Sequence, residues 1–269
     1  MPILDIFIVT YSKDYPYLRW CLKSIAKFAR GFNNLHILVP VGDAADLHAM
    51  PELQDVKSYA MPVHIHEGEE WPGKGFVWHM FQVMYADNWC MDADFIAHID
   101  PDCIFTEAVT PDDYVKDGKP ILRYEYYATL GIRHPGAAVW QGVVQDCLPF
   151  PVDKELMRCH PGVHHRWIYE KTRQIVETHK RIPFEDYMHA GKNEFPHDRC
   201  EYNTLGSVAA QYFAKDYILV EQKGDRVTPD NKLQQFWGRG RIDLPQRVWV
   251  QGGERDVVPL NMCHMILGE

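Results

Sequence analysis

Short apolar runs alternate with stretches of helical periodicity over the first hundred residues. Leu4 to Val9 (Leu-Asp-Ile-Phe-Ile-Val) predicts a strand, followed by a polar turn from Thr10 to Asp14. From Pro16 to Phe28 the apolar residues Leu18, Cys21, Leu22, Ile25 and Phe28 recur at helical spacing, with Pro16 in the first turn, where its missing N–H is harmless. Leu35 to Val39 predicts a second buried strand. Strand, helix and strand within about 40 residues make a βαβ unit, for which a parallel sheet with a right-handed crossover is the default.

The pattern then continues with a loop rich in Gly and Asp, a short strand from Val63 to His66 and a turn at Trp71-Pro72-Gly73-Lys74-Gly75. Phe76 to Asn88 reads as an amphipathic helix. Phe95 to Ile99 reads as a buried strand that runs straight into Asp100-Pro101-Asp102. From Pro111 the texture changes to short strands and turns (Ile121 to Tyr127, Ala137 to Val144). Two helices follow, Glu155 to His179 and Cys200 to Phe213. Thr228-Pro229-Asp230 has the order of an N-cap, a proline at the first helical position and an early acid, which predicts a further helix start. There is no internal repeat. The economical reading is one α/β domain over 1–269, with a mostly parallel, Rossmann-like sheet flanked by helices. Residues 1–105 form its nucleotide-type half and 106–269 an irregular second half.

Composition narrows this picture. With 46% hydrophobic and 24% charged residues among 269, the chain has the apolar content of a packed globule, not of a disordered one. No apolar run approaches the ~20 residues of a membrane span. The opening segment lacks the basic start and cleavage pattern of a signal peptide. The seven cysteines include no Cys-x-x-Cys pair and suggest no disulfide framework, so a cytoplasmic location is expected, that of a host for a viral chain. A net charge of -9 repels a phosphate polymer overall. Between Lys154 and Arg181, however, seven basic residues stand against three acidic ones, with four histidines among them. Two readings follow: a basic patch on an acidic body, or a solvated helix face.

The sharpest chemical feature is the strand ending in Asp100-Pro101-Asp102. Side chains two apart in extended chain point the same way, and Pro101 biases Asp100 towards that conformation. In an open α/β sheet the C-terminal edge is where ligands bind. Two carboxylates converging there suit Mg²⁺ or Mn²⁺ shared with substrate phosphates; a turn that uses aspartate as its former is the plainer alternative. Lys74, flanked by Gly73 and Gly75, can neutralise a phosphate that the glycines allow close to the backbone, or can simply be exposed.

With the first strand, its Val9-Thr10-Tyr11-Ser12-Lys13-Asp14 turn and the segment Ile99-Asp100-Pro101-Asp102-Cys103, the chain resembles glycosyltransferases of the GT-A fold. The aspartates stand as that family's DxD motif. It looks closest to compact, soluble GT-A-like proteins of bacteria and viruses. The likeness covers residues 1 to about 105 and thins beyond; proline in the middle of the motif departs from the small residue usual there. The resemblance implies a metal-dependent enzyme that moves a sugar from a nucleotide-diphosphate donor, most readily a UDP-sugar. Thr10, Tyr11 and Asp14 would hold base and ribose. Asp100 and Asp102 would hold Mn²⁺ or Mg²⁺, and His264 in Asn261-Met262-Cys263-His264 would complete the metal shell, a half-buried strand histidine being the alternative.

Within the same reading, Glu201 is the first candidate and Asp198 the second for a general base that draws the proton from an acceptor hydroxyl in an inverting transfer. Their spacing also matches a capping box, and a helix-start carboxylate is a weaker base. Arg239 and Arg241 in a Gly/Arg loop would grip the leaving diphosphate, and Trp237 would stack a sugar face; an ordinary surface turn is equally open. His160, His164 and His165 lack the ligand spacing of a zinc site and are kept as acceptor surface. The acceptor is a saccharide or, through Arg166, Lys171 and Arg173, a hydroxymethylated base in DNA. A sugar-1-phosphate nucleotidyltransferase would want a glycine-rich turn after the first strand, which Thr10 to Asp14 is not. A non-catalytic carbohydrate- or nucleotide-binding module is the rival from outside enzymology.

Overall fold

Leu4–Val9 (β1) is buried at every one of its positions, as a strand must be when both faces of its sheet are covered. The computed structural model describes residues 2–133, 135–158, 160–194, 198–222, 232–235, 267 and the backbone of 246–250 and 253–258. After β1 come Tyr15–Phe28 (α1), Leu35–Pro40 (β2), Ala44–His48 (α2), Pro51–Tyr59 (α3), Val63–Gly68 (β3), Gly75–Met84 (α4), Phe95–His98 (β4) and Cys103–Phe105 (β5). The main sheet has the order β3-β2-β1-β4, all parallel, and is closed beyond β4 by the antiparallel strand Gly162–His165 described below. The protein is therefore α/β, with a mixed, mostly parallel sheet flanked by helices and compatible with a Rossmann-like arrangement.

Alternation along the strands decides what each face meets. Leu4, Ile6 and Ile8 of β1 join Leu35, Ile37 and Val39 of β2 against α1 and α3, through Leu18, Cys21, Leu22, Ile25, Leu53 and Val56. Phe7, Val9, Leu38 and Ile96 point the other way, into a second cluster built from α4 and the helices of the second half. The predicted helix after β1 is present, with Pro16 in its first turn and the predicted apolar positions buried. The Gly- and Asp-rich loop expected between β2 and β3 contains α2 and α3. In α3, Pro51 occupies the first turn, and Leu53 and Val56 are buried one turn apart.

The second half runs through Val115–Lys116 (β6), Lys119–Tyr126 (β7), Tyr127–Arg133 (α5), Pro135–Cys147 (α6), Lys154–Glu155 (β8), Gly162–His165 (β9), Trp167–Lys180 (α7), Phe184–His189 (α8), Glu201–Tyr212 (α9), Ile218–Glu221 (β10), Leu233–Gln235 (β11), Gln246–Val250 (β12) and Gly253–Val258 (β13). Two expectations are corrected here. The strand expected at Ala137 to Val144 is part of α6. Its valines favour a strand locally, but Trp140, Val144 and Cys147 are buried at spacings of four and three, a helical stripe. The long helix expected from Glu155 to His179 exists only from Trp167 onward. Pro161 interrupts it, and residues 162–165 instead pair antiparallel with β4, with His165 opposite Phe95. The helix start expected at Thr228-Pro229-Asp230 lies outside the described residues. Among the described residues, no helix is long and apolar enough to cross a membrane.

Beside β7 and β8 the fold encloses a charge cluster. Arg158, fully buried, reaches Glu125 at 3.0 Å and Glu155 at 3.2 Å, and both acids are fully buried too. Removing the Arg158 guanidinium takes from two buried carboxylates the counter-charge it supplies. Arg158→Met is therefore expected to destabilise the fold by about 3–5 kcal/mol, whereas combining it with Glu125→Leu and Glu155→Leu recovers most of the loss. Urea denaturation of the single and triple variants measures this; a single-variant loss below about 1 kcal/mol contradicts the assignment.

Candidate functional site

The C-terminal ends of β1 and β4 lie side by side in the sheet. From β1 the chain leaves through α1 on one face, while α4, which leads into β4, covers the other. Such a reversal opens a crevice beyond the strand ends, because the connecting helices part there. A cleft of about 430 Å³ occupies this place, lined by Thr10, Tyr11, Lys13 and Asp14 after β1, Pro40 at the end of β2, Gly75, Trp78 and His79 of α4, Pro101 after β4, and Asn193. A wider groove of about 540 Å³ lies elsewhere, along Pro2, Asp94, Phe95, His165, Arg166 and Trp167. Its one acidic lining residue is Asp94, whereas the smaller cleft is lined by Asp14 and Glu70 and reaches Pro101, between Asp100 and Asp102, which makes it the better chemical candidate.

Asp100 is anchored through both oxygens. Its Oδ1 accepts from the Tyr202 hydroxyl at 2.9 Å, and its Oδ2 accepts from Gln235 Nε2 at 2.9 Å and lies 3.3 Å from His160 Nε2. The same Gln235 amide reaches Asp102 Oδ1 at 3.3 Å, so one carboxamide ties the two acids together. Burial acts to raise the Asp100 carboxyl, but the charge and hydrogen bond of His160, with His79 and Tyr202 behind them, hold it well below the usual carboxylate range. Asp102 goes the opposite way. Burial, and then the charge of Asp100, push it up to about 7. Asp14 is pushed up to about 6 by burial and then by Asp100. Asp100 thus acts electrostatically on an acid from each strand end.

Glu201 opens α9, whose N-cap is Cys200. It is buried, and burial, with the Asp100 charge adding, pushes it up to about 8. The helix start does not make it a stronger acid, because desolvation outweighs the backbone. The expected Asp198–Glu201 capping box is absent. Asp198 instead accepts from the Asn193 backbone N–H at 2.7 Å and pairs with Arg199 at 2.9 Å. Asn193, in turn, accepts from the N–H groups of Phe76 and Val77 at 3.0 and 3.2 Å, capping α4 from a distant loop. Asp198 thereby supports the cleft wall. Lys74 stands at the N-cap of α4, where its ammonium donates to the His189 carbonyl.

The basic window is divided between the interior and the surface. Arg173 grips Asp87 through both nitrogens at 2.6 and 2.9 Å and donates to the Met84 carbonyl. It is an internal clamp, which corrects its assignment to an acceptor surface. Arg158 is enclosed as described, and Lys154 and Lys180 pair with Asp153 and Asp146. Arg166 lines the wider groove, and Lys171 is exposed beside Gln174. His160 faces Asp100, whereas His164 and His165, being successive on β9, diverge: His164 is buried and His165 lies 3.0 Å from the Asp216 carbonyl. Trp237, Arg239, Arg241 and His264 lie outside the described residues.

Tyr202 and Gln235 are the site residues the sequence reading did not assign, and neither carries a local signal; His160, kept there as acceptor surface, stands against Asp100. No protein-family model matches the chain, and comparison with curated proteins gives no match either.

The raised acids carry a pH dependence of definite sign. Groups whose folded-state pKa exceeds the unfolded value contribute stability that is present below pH ~4 and lost as pH rises through the folded value. For Asp14, Asp102 and Glu201 that loss runs up to about pH 8. Asp100 has the opposite sign, but its contribution is lost only in strong acid. The histidines His66, His79, His98 and His164, lowered by desolvation, also have the opposite sign to the raised acids and gain stability as pH rises to about 7. Thermal unfolding midpoints are therefore expected to fall from about pH 7 to pH 9, and Glu201→Gln to flatten that fall. Parallel profiles for the two proteins would show that Glu201 does not titrate there.

Proposed function

We propose that this chain is a metal-dependent glycosyltransferase of the GT-A type, taking a sugar from a nucleotide-diphosphate donor, foremost a UDP-sugar, to an acceptor hydroxyl. The observation that carries the reading is the cleft itself. It stands where the strand order reverses, lined by Thr10, Tyr11 and Asp14 after β1 and by Pro101, the residue between Asp100 and Asp102, after β4. In that arrangement the turn after β1 holds base and ribose, with the Asp14 carboxylate facing donor hydroxyls.

The acids fit a divalent cation. Burial, and then the charge of Asp100, raise the proton affinity of Asp102, and a cation bound between the two acids would return it to the carboxylate. His160 beside Asp100 adds an imidazole, in the role the sequence reading gave to His264, and a mixed oxygen and nitrogen set favours Mn²⁺ over Mg²⁺. When bound, the ion supplies a Lewis acid that offsets charge on the leaving nucleoside diphosphate. Tyr202 and Gln235 keep the two acids oriented towards one another. Of the two base candidates Glu201 is the stronger, because Asp198 is engaged with Asn193 and Arg199, and a carboxyl near 8 is matched to taking a proton close to neutral pH. With Arg158 and Arg173 internal, a saccharide acceptor is favoured over modified DNA.

Incubating the protein with UDP-sugars and Mn²⁺ is expected to release UDP slowly by hydrolysis and faster with a saccharide acceptor. Asp100→Asn and Asp102→Asn are each expected to lower turnover by about 100-fold or more. Nucleotide binding without turnover would identify a binding module instead, and unchanged turnover in both variants would remove the metal pair from the mechanism.

A further inference from the structure

A second group of chemically active side chains stands apart from the cleft. On the sheet face that carries Phe7 and Leu38, β1 and β2 also present Asp5 and His36, with His64 and His66 beside them on β3. Cys90 meets them from the turn that follows α4. Burial alone makes these the wrong residues for the place: Asp5 is 1% exposed, His36 6% and Cys90 0%. A carboxylate oxygen of Asp5, a ring nitrogen of His36 and the Cys90 sulfur all lie within 4.8 Å of one another.

The surroundings hold these atoms as ligands are held. Asp5 Oδ1 accepts from Asn33 Nδ2 at 3.0 Å, from the Asn34 backbone N–H at 3.0 Å and from Asn34 Nδ2 at 3.3 Å. That fixes the carboxylate with Oδ2 turned to His36 Nε2, 3.1 Å away. On the far side of the ring, His36 Nδ1 lies 2.9 Å from His66 Nε2, and His66 packs against Trp89. A histidine whose second nitrogen has such a partner is oriented to offer the first one to a metal.

We propose that Asp5, His36 and Cys90 bind a borderline-soft divalent ion, zinc foremost, which ties β1 and β2 to the turn ending at Cys90. Oxygen, nitrogen and sulfur in one set select Zn²⁺ over Mg²⁺ or Ca²⁺, which take oxygen alone. Bonds of about 2.0–2.3 Å bring tetrahedral ligand atoms to roughly 3.3–3.8 Å apart, so the group needs to contract by about 1 Å and leaves a fourth position for water. Capture releases one proton, that of the Cys90 thiol. Asp5 binds as the carboxylate, and the neutral His36 ring shifts its proton from Nε2, where it bonds Asp5, to Nδ1, where His66 Nε2 accepts it, so that Nε2 is freed for the ion and no second proton is released. The site is distinct from the cleft and does not rest on its assignment.

The burial of all three ligands calls for loading during folding. The full chain, unfolded with chelator and refolded with Co²⁺, is expected to take up one ion showing visible d–d bands and a near-ultraviolet thiolate-to-cobalt band. Zn²⁺ is expected to displace it, and protein produced in zinc-supplemented medium to retain zinc on purification. The Asp100→Asn, Asp102→Asn double variant is expected to keep the thiolate band, whereas Cys90→Ser loses it and binds Co²⁺ at least about 10-fold more weakly. Absence of a thiolate band in the wild-type protein, or its persistence in Cys90→Ser, overturns the proposal; the wild-type measurement decides even if the serine variant fails to refold.

Discussion

Burial of β1 on both faces and along both edges is the constraint from which the rest of the architecture follows. Its backbone is paired to β2 and β4, so the strand has no free edge. Its side chains divide between two apolar clusters, each closed by helices. A strand so enclosed can meet solvent only at its ends, and the polar chemistry of the segment is pushed there. Thr10 to Asp14 emerges at one end of β1, beside the acids that follow β4. The cleft is thus a consequence of how the sheet is covered.

At the cleft the dominant effect is desolvation of carboxylates, to which repulsion between acids that the fold brings together adds. Asp100 acts on Asp14 because the ends of β1 and β4 are neighbours in the sheet, and on Asp102 from two positions away along the chain, with burial keeping water from screening them. Neutral donors from Tyr202 and Gln235 and the ring of His160 orient the pair without cancelling its charge difference. The two acids consequently titrate in opposite directions. Glu201 feels the same field from a buried helix start, where desolvation outweighs the favourable backbone.

The arginines of the second half illustrate how charge composition and charge location part company. A basic stretch from Lys154 to Arg181 suggests a surface for an anionic polymer, yet Arg158 and Arg173 are both internal. Each draws in the acids it needs, from β7 and β8 for Arg158 and from the turn after α4 for Arg173. Guanidinium groups lend themselves to this because their fork satisfies two partners at once.

The amino-acid order by itself marked β1, α1, β2, β3, α4 and β4, since a strand or helix covered by a core must repeat its apolar positions at a fixed interval, but it read the stretch that holds α2 and α3 as a loop. It also determined the location of Asp100 and Asp102 at a strand end. It misread 137–144 and 155–166, where valines in a helix and a proline between basic residues made local preference disagree with the packing that prevailed. Only the tertiary structure decided which groups surround the acid pair. Tyr202 lies 102 residues from Asp100 and Gln235 lies 135 residues away, so no local pattern marks either one. The gathering of Asp5, His36 and Cys90 was likewise invisible, because each sits in an ordinary segment and only strand register and the turn after α4 bring them together. Periodicity records burial along one element; convergence depends on which elements become neighbours, and that is settled by packing across the whole chain.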